Sequence, residues 1–201
     1  MEKNRKTRVT LALDACGYRF RAGHRIRLSL STSYWPIILP SPTDPGVTID
    51  TASLSLSLPL LGDHREIVVP QPANPDPLPH YIEHSPSETR RTVERDMTKG
   101  LTHYRIYENT GLVEHPGTGN ATQDIREETW TIAPDDPHSM TGASTWTCIA
   151  RRGQQSLKTV STSRLGCTQS EWITTARVEA FEGETKIFEK TFEKRIRRDF
   201  M

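Results

Sequence analysis

No run of apolar residues in this chain approaches the roughly 20 needed to cross a bilayer as a helix. Charge of one sign is missing too, since 26 basic and 25 acidic side chains leave a formal charge of +1. That balance excludes the basic excess of a nucleic-acid binder. It also gives little net repulsion to expand the chain into disorder. Cys16, Cys148 and Cys167 are an odd set without a CxxC pair, which reads as free thiols in a reducing compartment. The N-terminal MEKNRKTR is charged and has no apolar segment behind it. A secretory signal is therefore not expected, and a cytoplasmic location is. No glycine-rich phosphate loop, dinucleotide fingerprint or amphipathic membrane helix occurs, and no cofactor is expected. The G-x-S-x-G elbow of an α/β-hydrolase is also missing; the nearest string, TGASTW at 141–146, lacks the second glycine.

Strand periodicity is what the chain has instead. An apolar content of 34% and a mean hydropathy of -0.61 suit a thin, strand-rich architecture better than a helical protein with a large core. Val9, Leu11, Leu13 and Ala15 alternate with polar or small residues, as do Ile26, Leu28 and Leu30, and then Leu54, Leu56, Leu58 and Leu60. A period of two puts one edge of each segment on a core and the other in water. Between them, YWPIILPSPTDPG has four prolines and a closing glycine, which makes it a loop. Residues 69–79, VPQPANPDPLP, hold a proline at nearly every second position. Missing amide donors and restricted preceding residues make this a stiff extended connector between two units.

Beyond it come short segments of strand type from TRRTVERDM to EWITTARVEAF, separated by turn chemistry at Lys99-Gly100, Asn109-Thr110-Gly111, Pro134-Asp135-Asp136-Pro137, Arg152-Gly153 and Glu182-Gly183. This spacing predicts an antiparallel meander or sandwich. The last segment, TKIFEKTFEKRI, is ambiguous. Phe188, Phe192 and Ile196 fit a helix at i, i+4, i+8 as well as a strand, and the Glu-Gly turn before them favours a hairpin. The expected fold class is all-β.

Candidate chemistry is sparse. His80 and His84 in HYIEH have the spacing of a helical metal pair, but they follow directly on prolines, and solvated histidines are the simpler reading. Asp135, Asp136 and His138 read better as a turn in which Asp side chains cap backbone amides. The basic clusters KNRKTR and KRIRR lie near the two ends and read as solvated. Tyr34 and Trp35, in the proline-rich loop, are either packed against a neighbour or exposed for ligand stacking, a possible interface or ligand loop.

The run LALDACGYRFRAGHRIRLSLSTSYWPIILPSP resembles the late part of the C-terminal domain of X-Pro dipeptidyl-peptidases and cocaine-esterase-like hydrolases. Asp14, Phe20, Ala22, Gly23, His24, Arg25, Arg27 and Leu28 carry that resemblance. More loosely, Asp136-Pro137-His138-Ser139, Ala180-Phe181-Glu182-Gly183 and Arg198-Asp199-Phe200 resemble a C-terminal extension of some bacterial members. The resemblance implies a non-catalytic jelly-roll β-sandwich, which in relatives braces a separate α/β-hydrolase domain holding the catalytic triad. It implies a structural role for the eight motif residues and no catalytic residue here. The expected organisation is a partial jelly roll over 1–68, a linker over 69–79 and an antiparallel β extension over 80–201. Earlier strands of the sandwich have no counterpart, so a short or truncated product with an uncovered apolar face is expected. Partners would be a separately encoded hydrolase portion or a second copy of the chain, with neither nucleic acid nor membrane. The other reading left open is a free-standing β-sandwich that binds a carbohydrate or small ligand. An independent hydrolase with an unrecognised site is a third.

Overall fold

The computed structural model describes residues 5–43, 46–60, 62, 69–73, 77 and 80–199. They fall into two compact units, Met1–Ser31 and Thr32–Met201.

In the first unit the described residues join no ladder. Its one turn sits at Ala22-Gly23, closed by the His24 amide donating to the Arg21 carbonyl at 3.1 Å. Gly23 has a φ of 83°, a conformation that a Cβ opposes. Leu11 and Leu13 are 65% and 62% exposed. The alternating pattern over 8–15 and 25–31 is therefore present without the ladder it predicts. The reason is that a strand is a two-body structure. Its amides need a neighbour's carbonyls, and among the described residues none is offered.

The second unit opens with a chain reversal, in which the Ile38 amide donates to the Tyr34 carbonyl at 2.7 Å. A single 3₁₀ turn, Thr51–Ser53, is capped by Asp50, whose carboxylate accepts from the Ala52 amide at 3.1 Å. The Leu/Ser alternation over 54–60 again stays outside any ladder. Part of the expected proline linker (74–76, 78 and 79), together with 61 and 63–68, lies outside the described residues.

From residue 82 onward the expected meander is there. Among the described residues nine strands form one antiparallel sheet: β1 Ile82–Glu83, β2 Glu88–Asp96, β3 Leu101–Asn109, β4 Val113–His115, β5 Asn120–Ala133, β6 Asp136–Arg152, β7 Gln155–Cys167, β8 Glu171–Glu182 and β9 Thr185–Arg197. The main order is β2-β3-β5-β6-β7-β8-β9. The long β5 shares one edge between β3, opposite residues 125–132, and β4, opposite residues 120–122, and β1 lies outside β4. The ambiguous last segment is a strand, with Phe192 opposite Ala176 and Ile196 opposite Trp172. No helix among the described residues is long and apolar enough to cross a membrane.

Turn chemistry explains why the meander folds back so tightly. Arg152 pairs with Gln155 and Glu182 with Thr185, which leaves two-residue connections led by Gly153 (φ 57°) and Gly183 (φ 56°). Such hairpins need a positive φ at the first turn position, and glycine supplies it without strain. At the β2–β3 turn the Asp96 carboxylate accepts from the Thr98 and Lys99 amides at 2.9 and 3.0 Å. Those amide bonds, Lys99 first, hold its carboxyl below the usual range.

The register sorts side chains onto two unlike faces. One face of β7–β9 is covered by its own charges: Arg177 reaches Glu179 at 2.8 Å and Glu189 at 3.0 Å, and Lys186 bonds both glutamates. Lys186, then Arg177, holds the Glu189 carboxyl below its ordinary value. Whatever stability this pairing adds is present above the unfolded carboxylate pKa and fades as pH falls through the depressed one. The opposite face holds Trp146, Leu157, Phe188, Phe192 and Ile196, all exposed. Among the described residues only Met140, at 0% exposure, is a large and fully buried side chain.

Close packing at that end of the sheet shows at Gly142, which pairs with Trp130. A Cβ at this position would meet the Trp130 ring at 2.6 Å. Gly142→Ala is therefore expected to destabilise the protein by about 1–3 kcal/mol, the usual range for overpacking, as read by urea denaturation. Trp130→Leu on that background should recover part of the loss.

Candidate functional site

Polar and reactive side chains converge at one end of the sheet, where the start of β6, the end of β7, the start of β8 and the chain after β9 come together. Local hydrogen bonds shape this corner. Thr168 caps the β7–β8 turn, its hydroxyl accepting from the Ser170 and Glu171 amides at 3.3 and 3.0 Å. The Arg198 amide then donates to the Ser170 carbonyl at 2.8 Å, which folds the end of β9 over the turn.

The Arg198 side chain is the centre of the corner and is only 4% exposed. It donates from one terminal nitrogen to the Thr168 carbonyl at 2.9 Å and from the other to the Pro40 carbonyl at 2.6 Å. Its guanidinium lies 4.5 Å from the Trp172 ring centroid, within cation–π range. Its Nε is buried without a hydrogen-bond partner. Beside it, His138 Nε2 donates to the Pro42 carbonyl at 2.9 Å. Two side chains of the sheet thus grip successive carbonyls of the proline-rich loop.

A cysteine, a histidine and an aspartate in this corner invite comparison with a thiol triad, and the geometry rejects it. A general base must present an acceptor nitrogen to the thiol. Here the Nε2 of His138 carries its proton to Pro42, and Nδ1 lies 3.7 Å from Asp136 Oδ1. The Cys167 sulfur faces the carbonyl oxygens of Pro137 and His138, each at 3.7 Å. Burial pushes its pKa up, with the charge of Arg198 opposing. A protonated thiol ringed by acceptors is a poor nucleophile. The corner holds a loop in place.

The eight motif residues from Asp14 to Leu28 lie in the first unit, and all are exposed. Tyr18 and Phe20 meet edge to face at 5.0 Å, and His24 contributes its amide to the turn. Tyr34 is exposed while Trp35 is half-buried, with its indole nitrogen unpartnered. His80 and His84 flank β1 with no helix to align them, and His84 Nε2 bonds Glu114 at 2.7 Å instead. Among the described residues no cluster suits a metal ion. The Asp136 carboxylate caps the His138 amide at 2.9 Å, as a turn reading requires. The structure brings together two of the quoted strings of the extension, Asp136-Pro137-His138-Ser139 and Arg198-Asp199, through Cys167; Phe200 lies outside the described residues. Sequence reasoning missed the roles of Arg198, Cys167 and Trp172. The one available signal was that both strings belong to the same loose family resemblance.

The class is thus an all-β module, without a catalytic constellation among the described residues. Residues 2–92 match the family model of the X-Pro dipeptidyl-peptidase C-terminal non-catalytic domain. That stretch contains the whole Asp14–Leu28 motif and runs through the proline-rich segment into β2. The resemblance drawn from the motif is borne out over these residues, and the model they match describes a non-catalytic domain. No curated protein and no solved structure matches the chain.

Arg198→Met should release the loop. The expected loss is about 3 kcal/mol, from two bonds to a charged donor, with faster proteolytic cleavage within 34–43. In the unaltered protein, a thiol reagent at neutral pH should label exposed Cys16 before Cys148 and Cys167, whose pKa values burial raises. Mass spectrometry of timed samples reads both the cleavage and the labelling.

Proposed function

We propose that the chain is a bracing β module, which completes or steadies an α/β-hydrolase portion rather than acting on substrate itself. The observation that carries this reading is the match of residues 2–92 to a non-catalytic C-terminal domain. A second feature supports it. The period-two segments over 9–13, 26–30 and 54–60 keep their apolar side chains exposed, as strands do when the surface they were patterned for is elsewhere.

In this reading the serine nucleophile and its triad belong to the hydrolase portion, which acts on ester or amide bonds. The work takes place in the cytoplasm, where free thiols persist. The organisation is a jelly-roll part over 1–68, a connector over 69–79 and the β extension over 80–201. The eight motif residues shape the strand entry at Gly23-His24. His24 is a turn residue there, with no part in a chemical step.

Two measurements test the proposal. The purified chain should hydrolyse neither an aryl ester nor an X-Pro anilide faster than buffer, and turnover would overturn the non-catalytic reading. Mixed with a recombinant α/β-hydrolase domain of a cocaine-esterase-like enzyme, it should co-elute in size-exclusion chromatography. Separate elution at micromolar concentration would sink the bracing role.

A further inference from the structure

The exposed face of β6–β9 has the shape and charge of a docking trough. Trp146 on β6 forms one wall and Phe188 and Phe192 on β9 form the other, each about half exposed. Register places them on one face: Trp146 lies across from Ser161, Val178 and Lys190, and Phe192 across from Ala176, Ser163 and Ser144. Between the walls, β7 and β8 contribute small or short side chains from Thr159 to Ser163 and from Thr174 to Ala180, with Leu165 and Trp172 toward the far end. Thr159, Ser161 and Ser163 of the floor are themselves exposed, so nothing lies on them among the described residues.

The dimensions suit one kind of occupant. Three strand spacings set β6 and β9 about 14 Å apart, and Phe188 to Ile196 runs about 27 Å. An α-helix with its side chains is about 10–12 Å across, and 27 Å corresponds to about 18 residues. At the far end the trough is stopped by the corner in which Arg198 packs on Trp172.

Charge narrows the choice further. Lys190 and Lys194 sit on this face of β9, while Glu189 and Glu193 point to the other. On β7, on β9 and over 172–180 of β8 the face carries no carboxylate. Neither lysine forms an ion pair among the described residues; Lys190 lies instead 5.0 Å from the Phe192 ring centroid. The β9 rim is therefore cationic and unpaired among the described residues, whereas beyond the Trp146 wall the same face carries Asp124, Arg126 and Glu128 of β5.

We propose that this trough docks an amphipathic α-helix of a partner protein, apolar toward the floor and acidic along the flank that meets Lys190 and Lys194. The site stands apart from the hydrolase reading, because it uses β6–β9 and not the family-matched residues.

The probe is a designed 18-residue fluorescent peptide with a Leu/Ala inner face and a glutamate flank, titrated onto the full chain by anisotropy. The acidic peptide should bind at least tenfold tighter than one carrying lysine in place of glutamate, and more weakly as salt is raised. Phe192→Ser should weaken it tenfold or more. Lys190→Glu combined with Lys194→Glu should reverse the preference in favour of the lysine peptide, with far-UV circular dichroism unchanged. All three positions are exposed, so the variants keep the ladder. Equal binding of the two peptides, or binding indifferent to these substitutions, would overturn the proposal. So would a chain that sediments as a dimer and loses peptide binding with it, or one that binds anionic phosphatidylglycerol vesicles through the lysines while ignoring the acidic peptide.

Discussion

A β-strand satisfies its backbone only through a neighbour, and this constraint governs the whole chain. Each buried amide without an acceptor costs free energy comparable to a lost hydrogen bond. Alternation of side chains can say which edge of a segment is apolar, but not whether a partner arrives. From β2 to β9 a short connection delivers a pairing strand at every step but β3 to β4, which instead lie side by side along β5, and the ladder runs from Glu88 to Arg197. Before residue 82 the period-two segments are just as regular and form no ladder among the described residues.

The same constraint explains why the corner around Arg198 matters. A meander of hairpins fixes neighbours but leaves its ends and faces open. Arg198 and His138 reach out of the sheet to the carbonyls of Pro40 and Pro42, satisfying acceptors that proline-rich chain cannot pair in a ladder of its own. Met140, the one large and fully buried side chain among the described residues, lies on β6 at this corner. A guanidinium answered by carbonyls and an indole face, not by a carboxylate, works here as a multi-pronged donor. The neighbouring imidazole is spent on the same attachment and the thiol faces carbonyls of β6, which is why a cysteine, a histidine and an aspartate can sit close together without becoming a catalytic set.

The two faces of the sheet divide the remaining work. On one, arginine and lysine side chains fold over glutamates, so the surface is its own cover. On the other, aromatic walls, small floor residues and unpaired lysines remain, a combination that solvent alone leaves unsatisfied. The period-two segments before residue 82 and this open face of β6–β9 are two different exposed apolar surfaces.

The all-β class, the hairpin positions and the absence of a hydrolase elbow were legible in the residues themselves. Turn glycines, two-residue periodicity and missing motifs are local properties. The Asp14–Leu28 string likewise carried its family resemblance without any fold, and the family match over 2–92 agrees with it. Whether 185–196 is helix or strand was not legible, because Phe188, Phe192 and Ile196 suit both periods until β8 offers its edge. The grip of Arg198 on Pro40, 158 residues away in sequence, was equally out of reach. Local chemistry set the periods and the turns; which apolar edge found a partner, and which stayed bare, depended on contacts between distant segments.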